Sequence, residues 1–241
     1  MKYRKGIIGI LPAYSIIILA VGLMNHVLVI PPLLQEAQRD AWLATVLAVF
    51  PYLIWVSMLY YIMKRTGQEP LMAWLHQHYG AFVPFVIRIL FIVYLTMIGA
   101  IMLLDTSMWT KVSYLPQTPL FIISLSLALL SLFATKAGIR AIAISAGILL
   151  PFVIVFGDFV MSANLPKKNY SLLLPILEHG FEPVWKSEVF IGGGLVEIIL
   201  ILLFQHRLKS PVRLWSIWLL AIFLVVLVLG PITGAIAEFG P

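Results

Sequence analysis

The chain has 241 residues, of which 62% are hydrophobic and 11% charged, and its mean hydropathy is +1.04. Its 16 Lys and Arg and 10 Asp and Glu gather in short clusters between long apolar runs. Too little polar surface is left to coat a soluble globule, which excludes a soluble enzyme, a disordered tail and a nucleic-acid binder, and the absence of cysteine excludes disulfides and thiolate chemistry.

Cutting the sequence at its charges leaves seven runs near the roughly 20 residues needed to cross about 30 Å of hydrocarbon. They cover 6–34, 41–63, 81–109, 119–135, 139–162, 187–206 and 214–237. Period-2 alternation is absent, which argues against a β-barrel. The first run is too long for a cleavable signal peptide and has no small-residue cleavage site before its polar end, so it reads as a span. In its middle, Gly22-Leu23-Met24-Asn25-His26 sets a glycine, an amide and an imidazole in an aliphatic stretch. Such an interruption is tolerated at mid-depth only where it is buried in protein or lines a cavity.

Between the second and third runs, Pro70 precedes Leu71, Trp74, Leu75 and His78 at helical spacing, which predicts a short amphipathic helix on the cytoplasmic surface. In the third run Tyr94 and Thr96 offer hydroxyls near mid-span. Asp105 and Asp158 lie toward span ends, where reaching the interface is cheap. Pro166, Pro175 and Pro183 are too many for one continuous helix, so 164–187 reads as an ordered segment on the outer face.

The sixth run contains Gly192-Gly193-Gly194 with Glu197 three residues on. Glycine costs about 1 kcal/mol against alanine inside a helix, so the triplet predicts an unwound turn, although glycine also serves close helix packing. A carboxylate near the bilayer centre costs about 2.5 kcal/mol or more unless paired, hydrated or protonated, so Glu197 is expected to face a cavity or a partner.

Orientation follows from the basic residues on alternate sides. Lys2, Arg4, Lys5, Lys64, Arg65, Arg88, Lys136, Arg140, Arg207, Lys209 and Arg213 fall on the side of the N-terminus, and Arg39, Lys111, Lys167, Lys168 and Lys186 on the other. Eleven against five predicts a cytoplasmic N-terminus. No catalytic constellation, phosphate loop, nucleophile elbow or metal-ligand spacing is present, so neither an enzyme nor a cofactor is expected.

Interrupted first and sixth spans, five apart, match transporters built from inverted five-helix repeats, in which the substrate binds between the broken helices at mid-membrane. Half-helix N-termini there direct their positive ends at an anionic group such as a substrate carboxylate.

Several stretches carry a family resemblance. They are the Gly22 interruption with Leu33-Leu34 and Gln38-Arg39-Asp40-Ala41-Trp42; Leu149-Leu150-Pro151; Leu174-Pro175-Ile176-Leu177 with Gly180; Gly194-Leu195-Val196-Glu197; and Phe239-Gly240-Pro241. In this order the chain resembles the permease-like B subunit of bacterial spore germinant receptors, a branch of the amino acid-polyamine-organocation superfamily. The resemblance implies an all-α, LeuT-like inverted-repeat bundle in one membrane domain, with residues 1–162 as the first repeat and 187–241 as the start of the second. It also implies ten spans, of which seven are present here, so that a site completed by span eight would lack its other wall. By the same resemblance a small nutrient, commonly an amino acid, binds near Gly22, Leu23, Met24, Asn25, Gly192, Gly193, Gly194 and Glu197, to which the mid-span hydroxyl of Tyr94 adds a further candidate. A larger A subunit and a C lipoprotein are the implied partners, in the spore inner membrane. Asn25-His26 departs from the small residues typical of a permease's first break. Three readings compete: a nutrient-sensing receptor subunit, an amino acid secondary transporter, and a truncated, non-binding scaffold.

Overall fold

Lipid offers no partner to backbone N–H and C=O groups, so a chain of this composition satisfies them within helices. The computed structural model describes residues 7–24 and 28–240 and holds, among them, no strand beyond one isolated parallel bridge between Ile8 and Leu208. In chain order the helices are α1 (Ile10–Met24), α2 (Ile30–Ala37), α3 (Ala41–Leu47), α4 (Val49–Arg65), α5 (Leu71–Tyr79) and α6 (Phe82–Ser113). They continue with α7 (Leu120–Ala137), α8 (Ile139–Ala163), α9 (Glu182–Leu195), α10 (Ile201–Phe204) and α11 (Leu214–Phe239). Short 3-10 turns fill Gln38–Asp40, Leu165–Lys167, Tyr170–Leu173, Val196–Leu200 and Gln205–Arg207.

Six stretches among the described residues are helical, long and apolar enough to cross a membrane: Ile30–Arg65, Phe82–Ser113, Leu120–Ala137, Ile139–Lys167, Glu182–Arg207 and Leu214–Phe239. Of the expected first span, α1 is described from Ile10 to Met24 and α2 from Ile30, and residues 25–27, where the interruption is expected, lie outside the described residues; the apolar run that follows joins α2 to the helices of the second span. The sixth span starts earlier than its apolar run suggests, at Glu182, because Pro183 fits the first turn, where no N–H partner is needed.

The expected unwound turn at the glycine triplet is not found. Helix α9 runs through Gly192, Gly193 and Gly194, and the backbone tightens to 3-10 geometry only at Val196–Leu200. Three glycines cost about 3 kcal/mol in helix propensity, less than the several kcal/mol for each backbone group that an unwound turn would leave unsatisfied in lipid, and Gly194 is packed in the interior. Continuity therefore wins at the triplet.

The chain divides into two compact units, one of Met1–Ile7 and Glu69–Ile142, the other of Ile8–Gln68 and Ala143–Pro241. In the first, α5 forms where the amphipathic helix is predicted. Its Leu71 and Leu75 are buried, it packs along α6, and Trp74 stacks on His78 with ring centres 4.0 Å apart. One residue, Gly138 at φ +86°, links α7 to α8, a left-handed conformation that glycine adopts without a Cβ penalty.

In the second unit α11 packs against α1, α3 and α4, and α9 against α2 and α3. Ile17, Leu33, Leu59, Ile191, Ile198, Leu224 and Ile232 are fully buried there. Two polar networks tie its loops. Ile8 N–H donates to the Arg207 carbonyl and Lys209 N–H to the Ile8 carbonyl, both at 2.9 Å. Nearby, the buried Gln205 side chain donates to Thr66 Oγ1 at 3.0 Å. The other network lies at Asp40 and holds the segment after α8.

Candidate functional site

Two stretches that carry the resemblance meet in space. Helix α2 ends at Gln38, whose φ of +47° turns the chain and brings Asp40 into the interior, 3% exposed. The Asp40 carboxylate accepts the Leu177 backbone N–H at 2.8 Å. Leu177 itself has φ +59°, a left-handed conformation that is costly for a bulky residue and is held here by that charge-assisted bond. Alongside, Arg39 pairs with Glu178 at 3.0 Å. The same segment is fastened to α11, where Asn169 N–H donates to the Ala237 carbonyl at 2.7 Å and Lys168 approaches the space left by Gly234. Residues 165–181 thus form a tethered segment that begins with two short 3-10 turns, at Leu165–Lys167 and Tyr170–Leu173, and continues as turns and bends.

Beyond the ion-paired Glu182, the sixth span carries two further carboxylates, Glu188 on α9 and Glu197 past its end. Glu197 is 3% exposed, stands in the 3-10 stretch Val196–Leu200, and makes no hydrogen bond or ion pair among the described residues. That stretch packs against α1, so the segment bearing Glu197 and the helix bearing Gly22 are neighbours. Gly22 is buried, and a Cβ there would sit 3.4 Å from Leu227 Cδ1 of α11, in ordinary contact, so it is a side chain longer than alanine's that would press on α11. Leu23 and Met24 are the last described residues of α1, and Asn25 lies outside the described residues. Gly192 and Gly193 have open space where a side chain would begin, whereas Gly194 is buried. Tyr94 lies on α6 in the other unit.

The second carboxylate, Glu188, is nine positions before Glu197, about half a turn away around the helix, so the two face opposite sides. Glu188 lines a cavity of about 300 Å³ between α4 and α9, together with Tyr52, Trp55, Trp185, Gly192 and Val196. Nothing in the sequence unites Glu188 with Tyr52 and Trp55, which are separated from it by more than a hundred residues of chain. The one local sign is that Trp185, Glu188 and Gly192 recur at helical spacing on one face of α9.

The spore germination protein family matches residues 12–236 of this sequence, nearly the whole chain. The chain belongs to that family. With six helical stretches long and apolar enough to cross a bilayer, it is a helical, multi-pass membrane protein. It is similar to Spore germination protein XB of Bacillus anthracis, 38% identical over 226 residues that cover 94% of this chain and 63% of that protein. The chain therefore spans less than two thirds of the length of this curated relative. No solved structure matches it.

Proposed function

We propose that this spore germination protein is the membrane subunit of a nutrient germinant receptor. On this reading it senses a small, amino-acid-like nutrient between α1 and α9, and the change is read by an A subunit and a C lipoprotein in the spore inner membrane, with the N-terminus cytoplasmic. The observation that carries the reading is Glu197. A carboxylate withdrawn from solvent without a described partner, in a 3-10 stretch beside α1, is expensive inside a bilayer and marks a functional position by default. The local tightening of a helix from α to 3-10 geometry is also where hinges commonly form. Binding that favours one arrangement of this stretch shifts its population, and partners respond to the shift.

The test is nutrient-triggered germination of spores whose own copy is replaced by the Glu197→Gln variant. That change keeps the size and removes the charge. A response weakened by about tenfold or more is expected. Germination at the unaltered rate and nutrient concentration, with the variant present at normal abundance, overturns the reading.

A further inference from the structure

The cavity beside Glu188 is chemically unlike the surroundings of Glu197. Its polar groups are, among the described residues, a carboxylate without a cation and two buried donors without acceptors. Glu188 is half-buried and makes no ion pair or hydrogen bond among the described residues. The nearest cation on its own helix, Lys186, is already committed to Glu182 at 2.8 Å. Tyr52 is 6% exposed and, among the described residues, neither its hydroxyl nor the buried Trp55 Nε1 has a partner. The rings of Tyr52, Trp55 and Trp185 supply the wall.

A half-buried carboxylate with aromatic faces around it is the chemistry that recognises an organic ammonium ion, through charge pairing and cation–π attraction in a partly desolvated site. The unpaired hydroxyl and indole N–H require in addition an acceptor oxygen, because buried donors left unmade are costly. A volume of about 300 Å³ lies at the lower edge for small-molecule sites, which suits a ligand of only a few heavy atoms. Trp185 is 71% exposed while lining the cavity, so the site is not sealed. Glu188 lies six residues, about 9 Å, from the start of α9, near one end of the span rather than at its middle.

We propose that the α4–α9 cavity binds a small organic ammonium ion bearing a nearby acceptor oxygen, with Glu188 as counter-ion, Tyr52 and Trp55 as donors to the oxygen, and the three aromatic rings around the cation. Two sources present this chemistry at a membrane: a free amino alcohol, and the headgroup of an ethanolamine phospholipid. The site is separate from Glu197 and does not depend on the receptor reading.

The experiment uses the purified full chain in nanodiscs of phosphatidylglycerol, titrated with ethanolamine and with tetramethylammonium, and followed by calorimetry and tryptophan fluorescence. Saturable ethanolamine binding is expected, with tetramethylammonium weaker because it lacks the oxygen. Glu188→Gln should weaken ethanolamine by about tenfold. Tyr52→Phe should weaken ethanolamine and leave tetramethylammonium unchanged, a split that a merely misfolded variant does not produce. In a second arm, phosphatidylethanolamine is added to the nanodiscs. A raised ethanolamine midpoint that Glu188→Gln abolishes makes the lipid headgroup the occupant, and an unmoved midpoint makes it the free amine. The proposal is overturned if neither arm shows ethanolamine or headgroup binding that depends on Glu188, or if Tyr52→Phe changes both titrants equally. Should Glu188→Gln fail to fold, unaltered binding in both Tyr52→Phe and Trp185→Leu overturns it as well.

Discussion

Helices α6 and α11 are both long, apolar runs of Leu, Ile and Val, yet they end in opposite situations. Helix α6 buries only Pro84 and Ser107, whereas α11 buries ten residues between Ile217 and Ala237. Lipid is as apolar as leucine, so hydrophobicity alone drives no association between helices inside a bilayer, and close approach depends on shape. Helix α11 offers small residues where neighbours come in, with Ala221 and Ala237 buried and Gly234 leaving room for Lys168. Helix α6 presents Phe82, Phe85, Leu90 and Met97 outward, and its Gly99 has nothing within 4 Å of where a Cβ would sit. Apolar length marks a span; small residues and fixed polar pairs decide whether it packs.

The sharpest contrast is between Leu224→Ala and Leu90→Ala. Leu224 is fully buried, and its truncation should lower stability in detergent by about 2 kcal/mol, the cavity part of such a change, since lipid already solvates the unpacked side chain. Leu90 is 63% exposed, and its truncation should stay within about 0.5 kcal/mol. Equal losses in graded denaturant unfolding would break the comparison.

The same contrast extends to polar groups. Asp40→Ala leaves the Leu177 N–H without its acceptor and should cost about 1–3 kcal/mol, with Asp40→Asn recovering much of it because the amide oxygen still accepts. Ser126→Ala on α7 removes only an exposed hydroxyl bonded back to the Ile122 carbonyl and should be near neutral. Melting temperatures of the three variants, side by side, provide the check.

Glycine positions sharpen the point further. Gly22→Leu pushes against Leu227 and should cost about 1–2 kcal/mol, while Gly99→Leu enters open space and should be neutral or slightly stabilising through helix propensity. The smallest effect belongs to Arg39→Ala. Its partner Glu178 is 41% exposed, so losing the ion pair should cost about 0.5 kcal/mol and shrink further in high salt. A salt-independent loss of several kcal/mol would show that Arg39 acts through packing instead.

Much of the fold was legible in the sequence because length and apolar content are local properties. The third, fourth, fifth and seventh runs became helices α6, α7, α8 and α11 with ends close to those expected, and Pro70 does precede the amphipathic α5. The glycine triplet was misleading. Propensity describes an isolated helix, while in lipid the need to satisfy the backbone keeps Gly192–Gly194 helical and moves the departure from α geometry to Val196–Leu200. Glu197 could be singled out because a lone acid in an apolar run is conspicuous. Glu188 could not, since it lies close to Glu182 and Lys186 and resembles one more charge near a helix end.

By itself the sequence determined that this is a helical membrane protein, where its apolar segments lie, and to which family it resembles most. Only the tertiary structure decided that Asp40 holds Leu177, that Gln205 reaches Thr66, and that Tyr52 and Trp55 share a cavity with Glu188. Each of these pairings joins residues more than a hundred positions apart. Hydropathy and helical periodicity act over a few turns and carry no information at that range. Such partners are chosen by how helices of fixed shape fit, and by the requirement that polar groups withdrawn from water meet an acceptor, a donor or a ligand.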